Sequence, residues 1–423
     1  MRSKSLAALM TAAILMIAMP GVAQTNEELR SEIAQIKKQV AEMEQLKARV
    51  AELERKLEES EKAREESKKA EEAAAPAVTT AFKTAKAKID GRIFTGVFET
   101  GDDGPFADWS TDINDAKLRF TFNPSKNVTI VNRLSTTGAR AGDFDYFYLD
   151  LAGTSGALNT LRIGQRKVDV GQETWVDNPV ENMLVTTSGA HVSGYATGIA
   201  LLGKLQDSKM SPVYELGFVN GPRGDFTRPT NSLPFNVKVG ASLPNNLFAS
   251  ASYFDSGDLG AGDKPGLSVA EILDAPSGAT EWRRKLWELD VRYNYGPTGI
   301  RALLPTGDLP PIMLGATYGA FGDDATGVPD RDGKFWFVEG LVKLSTRAYA
   351  AARYSSVDLD DGVLDKLVKS PAAVNSFTRT SIGLGYALSD LTELKTEYTI
   401  NDTSGGSSQP SLNQWAVGLA SKF

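Results

Sequence analysis

The stretch Leu412-Asn-Gln-Trp-Ala-Val-Gly-Leu-Ala-Ser-Lys-Phe423 decides how the rest of the chain is read. Trp415, Val417, Leu419 and Phe423 fall on one side of an extended backbone. Gln414, Ala416, Gly418, Ala420 and Lys422 fall on the other. Terminal residues fray into water unless something ties them down. An alternating run that carries an aromatic residue last therefore predicts a β-strand paired along its whole length.

The same period of two runs back to Ile89. Leu118, Phe120 and Phe122 alternate with Lys117, Arg119 and Thr121, and Leu161 and Ile163 with Arg162, Gly164 and Arg166. Trp287, Leu289, Val291 and Tyr293 alternate with Glu288, Asp290 and Arg292, and Leu394, Tyr398 and Ile400 with Lys395, Glu397 and Thr399. Alternation alone fits a soluble sandwich or an outer-membrane barrel. In a barrel the apolar face meets lipid and the polar face lines a lumen.

Connection lengths separate the two. There are about sixteen runs, an even number as in bacterial barrels; among them are runs starting near Ile89, Asp115, Arg284, Lys334 and Leu412. Asn123-Pro-Ser-Lys126, Leu243-Pro-Asn-Asn246 and Leu388-Ser-Asp390 are tight turns, whereas 255–282, 322–333, 356–376 and 401–411 are long. Short turns at one end and long loops at the other are a barrel's polarity, and a sandwich has no reason for it. The fold expected for residues 88–423 is thus an all-β transmembrane domain, an antiparallel β-barrel closed by its last strand against its first.

The first residues read differently. Arg2 and Lys4, an apolar run from Leu6 to Met19 and Gly21-Val22-Ala23 have the parts of a secretory signal peptide, 1–23. Over 24–69, Leu29, Ile36, Met43, Val50 and Leu57 recur every seven residues between charged ones. That seam predicts an α-helical coiled coil, which needs partner chains and so implies a homo-oligomer. Its flanking line shifts from Ile33 and Val40 to Leu46 and Leu53, as at a three-residue stammer. Pro76 and its surroundings make 70–87 a linker.

Composition narrows the chemistry. The 423 residues hold no cysteine and one histidine, His191, which excludes thiol catalysis and a multi-histidine metal centre. A formal charge of −7 argues against nucleic acid as a partner. No cofactor motif stands out. His191-Val-Ser193 supplies a base and a nucleophile, but no third group or oxyanion hole accompanies them. The expectation is that the chain is not an enzyme.

The closing pattern resembles the terminal strand of bacterial outer-membrane porins, in which a final Phe is read by the barrel-assembly machinery. Trp415 and Phe423 are the residues that match. Phe147-Tyr-Leu-Asp-Leu151, Leu161-Arg-Ile-Gly-Gln-Arg-Lys167 and Gly194-Tyr-Ala-Thr-Gly-Ile-Ala200 look like the phosphate-selective porin O/P group and related trimeric porins with an N-terminal coiled coil. The resemblance implies passive diffusion of small hydrophilic solutes, often anions, through a trimer in the outer membrane, with the coiled coil in the periplasm. Residues 167–173, Lys-Val-Asp-Val-Gly-Gln-Glu, depart from that group's usual apolar-Pro-Phe-Gly form.

Candidate pore residues follow from the inner face. Lys117, Arg119, Arg133, Arg162, Arg166, Arg292, Arg347, Arg353 and Arg379 form its basic set, and Lys343 and Lys395 add to it. The long connection after Arg166 is expected to fold into the lumen and present Asp169, Glu173, Asp177 and Glu181 to that wall. Opposed charges at a constriction orient dipolar solutes and filter ions. The acidic clusters Asp102-Asp103, Asp323-Asp324 and Asp358 to Asp361 read as solvated loop tips near lipopolysaccharide. Outward Trp287, Tyr293, Trp336, Tyr354, Tyr386, Tyr398 and Trp415 suit interfacial girdles at strand ends. A tether to the cell wall through the coiled coil is the alternative role, and a barrel-embedded hydrolase a remote one.

Overall fold

The structure, a computed structural model, describes residues 86–423 apart from 101–109, 138–142, 154–158, 205–209, 211, 223–231, 270–274, 302, 304–307, 361–363, 365–373 and 405–412. Glu52, Arg55, Lys56, Glu58 and Glu59 are also described; they are α-helical and exposed. There Lys56 pairs with Glu52 at 2.9 Å and Arg55 with Glu59 at 3.6 Å, each one helical turn apart. The expected signal peptide, linker and apolar heptad seam lie outside the described residues.

Residues 86–423 form a closed antiparallel barrel of 16 strands. In chain order these are β1 (Lys86–Thr100), β2 (Ser110–Ser125), β3 (Val128–Ser135), β4 (Phe144–Ala152), β5 (Thr160–Lys167), β6 (Tyr195–Lys204), β7 (Val213–Pro222) and β8 (Phe235–Leu243). Then come β9 (Leu247–Asp255), β10 (Glu281–Tyr293), β11 (Ile312–Thr326), β12 (Arg331–Lys343), β13 (Ala348–Leu359), β14 (Ser376–Ala387), β15 (Thr392–Ser404) and β16 (Gln414–Lys422). Closure is the pairing of β1 with β16 from Arg92↔Lys422 to Thr100↔Gln414. Gly91 and Phe423 add a backbone hydrogen bond in each direction, 2.9 and 3.1 Å. The closing stretch is therefore a barrel seam, and no edge is left there to template another chain.

Opposed residues in an antiparallel ladder share a face, so the registers carry one parity from strand to strand, except at shifts in the β1–β2, β2–β3, β3–β4 and β6–β7 ladders. Leu289, Val291, Leu314, Val338, Ile382 and Leu384 point outward and are exposed. The outward aromatics pair across strands: Trp287 with Tyr318, Trp336 with Tyr354 and Tyr398 with Trp415, at 5.5, 5.2 and 4.5 Å between ring centres. Trp287, Trp336, Tyr354 and Tyr398 sit in mid-strand, so these aromatics form tilted cross-strand pairs along the wall rather than a girdle at the strand ends.

Several boundaries shift. β1, β2, β10 and β12 begin three to five residues before the sequence-based starts. β11 and β12 extend until only 327–330 join them, where a loop over 322–333 was expected. Asp323 lies within both ladders. It is an inward, fully buried strand residue gripped by Arg284 at 2.7 Å and Arg331 at 2.7 Å, not a solvated loop tip.

At the turn end, 126–127, 244–246, 344–347 and 388–391 are tight, but 294–311 is a long connection. Its described residues fold back into the barrel. Tyr295, Leu303 and Leu309 are buried with wall residues Met313, Leu341, Tyr349 and Ala351, and with Met183 and Leu184 of the 168–194 loop. The Gly299 backbone, at φ +66°, lies on the Phe248 ring where a Cβ would collide.

Candidate functional site

The 168–194 loop lies inside the barrel, held by charges and by an apolar underside. Val168, Val170, Ala190 and Val192 are buried against inward Phe254, Leu286, Phe335, Val357 and Phe377. Val180 and Val185 pack with Phe94, Phe98, Ala416 and Ala420. These inward apolar wall residues break the simple polar-lumen pattern because the loop, rather than water, covers them.

Each of the four expected loop carboxylates meets a wall or loop-base cation. Asp169 lies 2.6 Å from Lys238, Glu173 is 3.4 Å from Arg353, and Asp177 is 2.6 Å from Lys167. Glu181 sits 3.0 Å from Arg92 and 3.5 Å from Lys422. Burial pushes the Glu173 carboxyl up, but Arg353 and then His191 outweigh it and hold the group well below the usual carboxylate range. For Asp177 burial is likewise overcome, chiefly by Lys167, and its pKa falls to about 2. Arg92 and then Lys422 do the same for Glu181, which is lowered against its burial.

The wall supplies backbone anchors as well. Glu397 accepts from the Val185 and Thr186 amides at 2.5 and 2.8 Å and from the Thr186 hydroxyl at 2.6 Å. Lys395 donates to the Pro179 carbonyl at 2.7 Å and to that of Asn182. Arg353 donates to Asn182 Oδ1 at 2.7 Å and to the Thr186 carbonyl at 2.9 Å. Arg379 reaches the Thr187 carbonyl at 3.1 Å.

The basic set divides accordingly. Lys117, Arg119 and Arg133 line one cavity. Arg166 is buried against Glu215 at 2.5 Å and Asn236 at 2.8 Å, and Arg292 against Asp290 at 3.4 Å. Arg353 is buried beneath the loop and Arg379 lies partly buried there. Arg162 is locked to Asp150 at 2.7 Å across the ladder. Arg347 is off the pore wall: it lies exposed in the 344–347 turn. Arg119, Arg133, Arg162 and Arg166 do not face the loop acids across a gap, since wall carboxylates Asp90, Asp145, Asp150 and Glu215 already hold them.

The cavity, about 290 Å³, is lined by Arg92, Lys117, Arg119, Arg133, Lys167 and Lys422, with Asp90 and Glu181 as its acidic residues and Tyr146, Trp175 and Ile300 as its apolar surface. A second cavity of about 270 Å³ shares Trp175 and Ile300 and adds Asp169, Lys238, Tyr214 and Thr298. The inward parity of Arg92 and Lys422 was readable from their strands. Ile300 and Thr298 carried no such signal, since 294–311 has no period and reads as an ordinary connection.

His191 and Ser193 have different partners. His191 is buried beside Glu173 at 3.4 Å, to which Ser188 also donates, while Ser193 joins a two-residue ladder with Ser268.

No family model matches the chain, and no curated protein matches it. Solved structures do. The anion-selective porin from Comamonas acidovorans is 13% identical, with a TM-score of 0.55 over 80% of this chain and 100% of that one. The outer membrane channel DcaP of Acinetobacter baumannii is 14% identical, with a TM-score of 0.54 over 80% of this chain and 97% of its own. In-vitro folded OmpT, an outer membrane protein of Vibrio cholerae, is 12% identical at a TM-score of 0.53, covering 82% and 100%. What this chain shares with them is the fold, a closed antiparallel β-barrel.

Proposed function

We propose that the chain is an outer-membrane channel for passive diffusion of small hydrophilic solutes, with a lean toward anions. The observation that carries this reading is the basic cavity inside a closed barrel whose outer face is apolar. A face bearing exposed Leu, Ile and Val around a closed sheet suits lipid, because closure leaves the sheet no unpaired edge. The likeness to a barrel described as anion-selective supports the sign of the preference. The lean is modest, since nearly every lumen cation has a carboxylate against it.

In planar bilayers under a salt gradient, the reversal potential should be anion-directed. A cation-directed potential removes the charge argument, and absence of conductance removes the channel.

The heptads over 24–69 support a homo-oligomer with a periplasmic coiled coil, which the porin resemblance makes a trimer, and a tethering role is the alternative. Deleting 27–69 separates these. A channel keeps its single-pore conductance and loses oligomer stability, whereas a tether loses envelope attachment.

A further inference from the structure

We propose that the basic cavity is a binding site for an organic monoanion with an apolar body. The proposal rests on the channel reading and adds the class of solute.

Charge sets the valence. Arg92, Lys117, Arg119, Arg133, Lys167 and Lys422 line the cavity, and five carboxylates touch them: Asp90, Asp115, Asp145, Asp177 and Glu181, at 2.6 to 3.5 Å. Among the described residues, six lining cations against these five carboxylates leave a single positive charge, since Lys88, which shares Asp90 at 3.1 Å, is 67% exposed and screened by water. A monoanion neutralises that excess, while a dianion overshoots it in a partly desolvated site. Of the six, Arg119 has a 44% exposed side chain; its Nε is held by Asp90 at 2.7 Å, and its exposed guanidinium edge faces the cavity.

Shape and surface set the body. At about 290 Å³ the space far exceeds the ~30 Å³ of one water, so it is larger than a simple inorganic anion needs. Trp175 and Ile300 add an aromatic and an aliphatic surface to the same cavity. The Trp175 ring is oriented by its Nε1 donating to Asp169 at 2.8 Å. A hydrated inorganic ion gains nothing from that surface, but a carboxylate on an apolar body gains from both, as ligand sites with few polar groups on apolar walls do. The adjoining cavity is electrically quiet, because Asp169 and Lys238 cancel there at 2.6 Å.

The test is block of chloride current through the full-length protein by benzoate, by acetate, which has the charge without the ring, and by terephthalate, which has the ring with two charges. Benzoate should half-block at a concentration at least about tenfold below acetate, a 1.4 kcal/mol preference, and terephthalate should block no better than benzoate. Ile300→Ala should raise the benzoate concentration several-fold and leave acetate unchanged, and Arg119→Gln should weaken both. Equal block by acetate and benzoate, stronger block by terephthalate, or block indifferent to either substitution overturns the proposal. If the wild-type protein carries no current the channel reading fails separately, and benzoate binding by calorimetry then decides the site alone.

Discussion

Arg353→Met should release the 168–194 loop from the wall and raise single-channel conductance at least about twofold, as widening the narrowest element of a pore does. Arg353 is 2% exposed and joins four groups: Glu339 at 2.7 Å, Asn182, the Thr186 carbonyl and, at 3.4 Å, Glu173. Methionine fills much of the volume but leaves Glu173 and Glu339 buried with one cation fewer. Breaking a buried pair in this way costs about 3–5 kcal/mol, so the barrel should also unfold at lower denaturant. Arg347→Met is the control. It removes the same charge from an exposed turn, and should shift stability by no more than ~0.5 kcal/mol with conductance unchanged. A folded Arg353→Met protein with wild-type conductance would show that the loop is held elsewhere or does not limit flow.

The loop acids also fix the acid response. Asp177 has its folded pKa depressed from 3.8 to about 2, and Glu173 and Glu181 are depressed too. A group depressed on folding contributes its stability above the ordinary carboxylate range and loses it as pH falls through the folded value. The loop should therefore stay latched at mildly acidic pH. Its hold should weaken only as pH falls from about 4 toward about 2, seen as a rise in open-channel noise.

Parity explains what the sequence could reveal. Because side chains alternate strictly along a strand, Lys117, Arg119, Arg133, Arg162 and Arg166 were assignable to the inner face without knowing a single pairing. Which carboxylate each would meet was not assignable. Arg166 finds Glu215 two strands on, and Arg353 finds Glu173 from a loop 180 positions earlier; such contacts depend on register and closure, which have no local signal. Asp323 was misplaced for a related reason. Beside Asp324 and near Gly327 it looked like a loop, and its partners Arg284 and Arg331 lie on the neighbouring strands. The inward fold of 294–311 was hidden because Tyr295, Leu303 and Leu309 show no period. Their burial arises from a hollow that exists only once the barrel has closed.

Gly91→Val should damage the seam itself. The Phe423 ring lies over Gly91, and a Cβ there would collide with that ring and sit 2.8 Å from the Lys117 carbonyl. The ring can swing away, but the β2 backbone cannot, so overpacking of about 1–3 kcal/mol is expected. The purified barrel should then open at lower temperature in detergent, with loss centred on the β1–β16 ladder in hydrogen exchange. Phe423→Ala asks a different question. Phe423 is 60% exposed, so removing its ring should change the purified barrel's stability by less than ~1 kcal/mol. If the final aromatic residue serves recognition by an assembly machinery, the same variant should accumulate several-fold less in the outer membrane of cells. Normal accumulation of Phe423→Ala would confine the residue to packing on Gly91, and an unaltered Gly91→Val barrel would deny it even that.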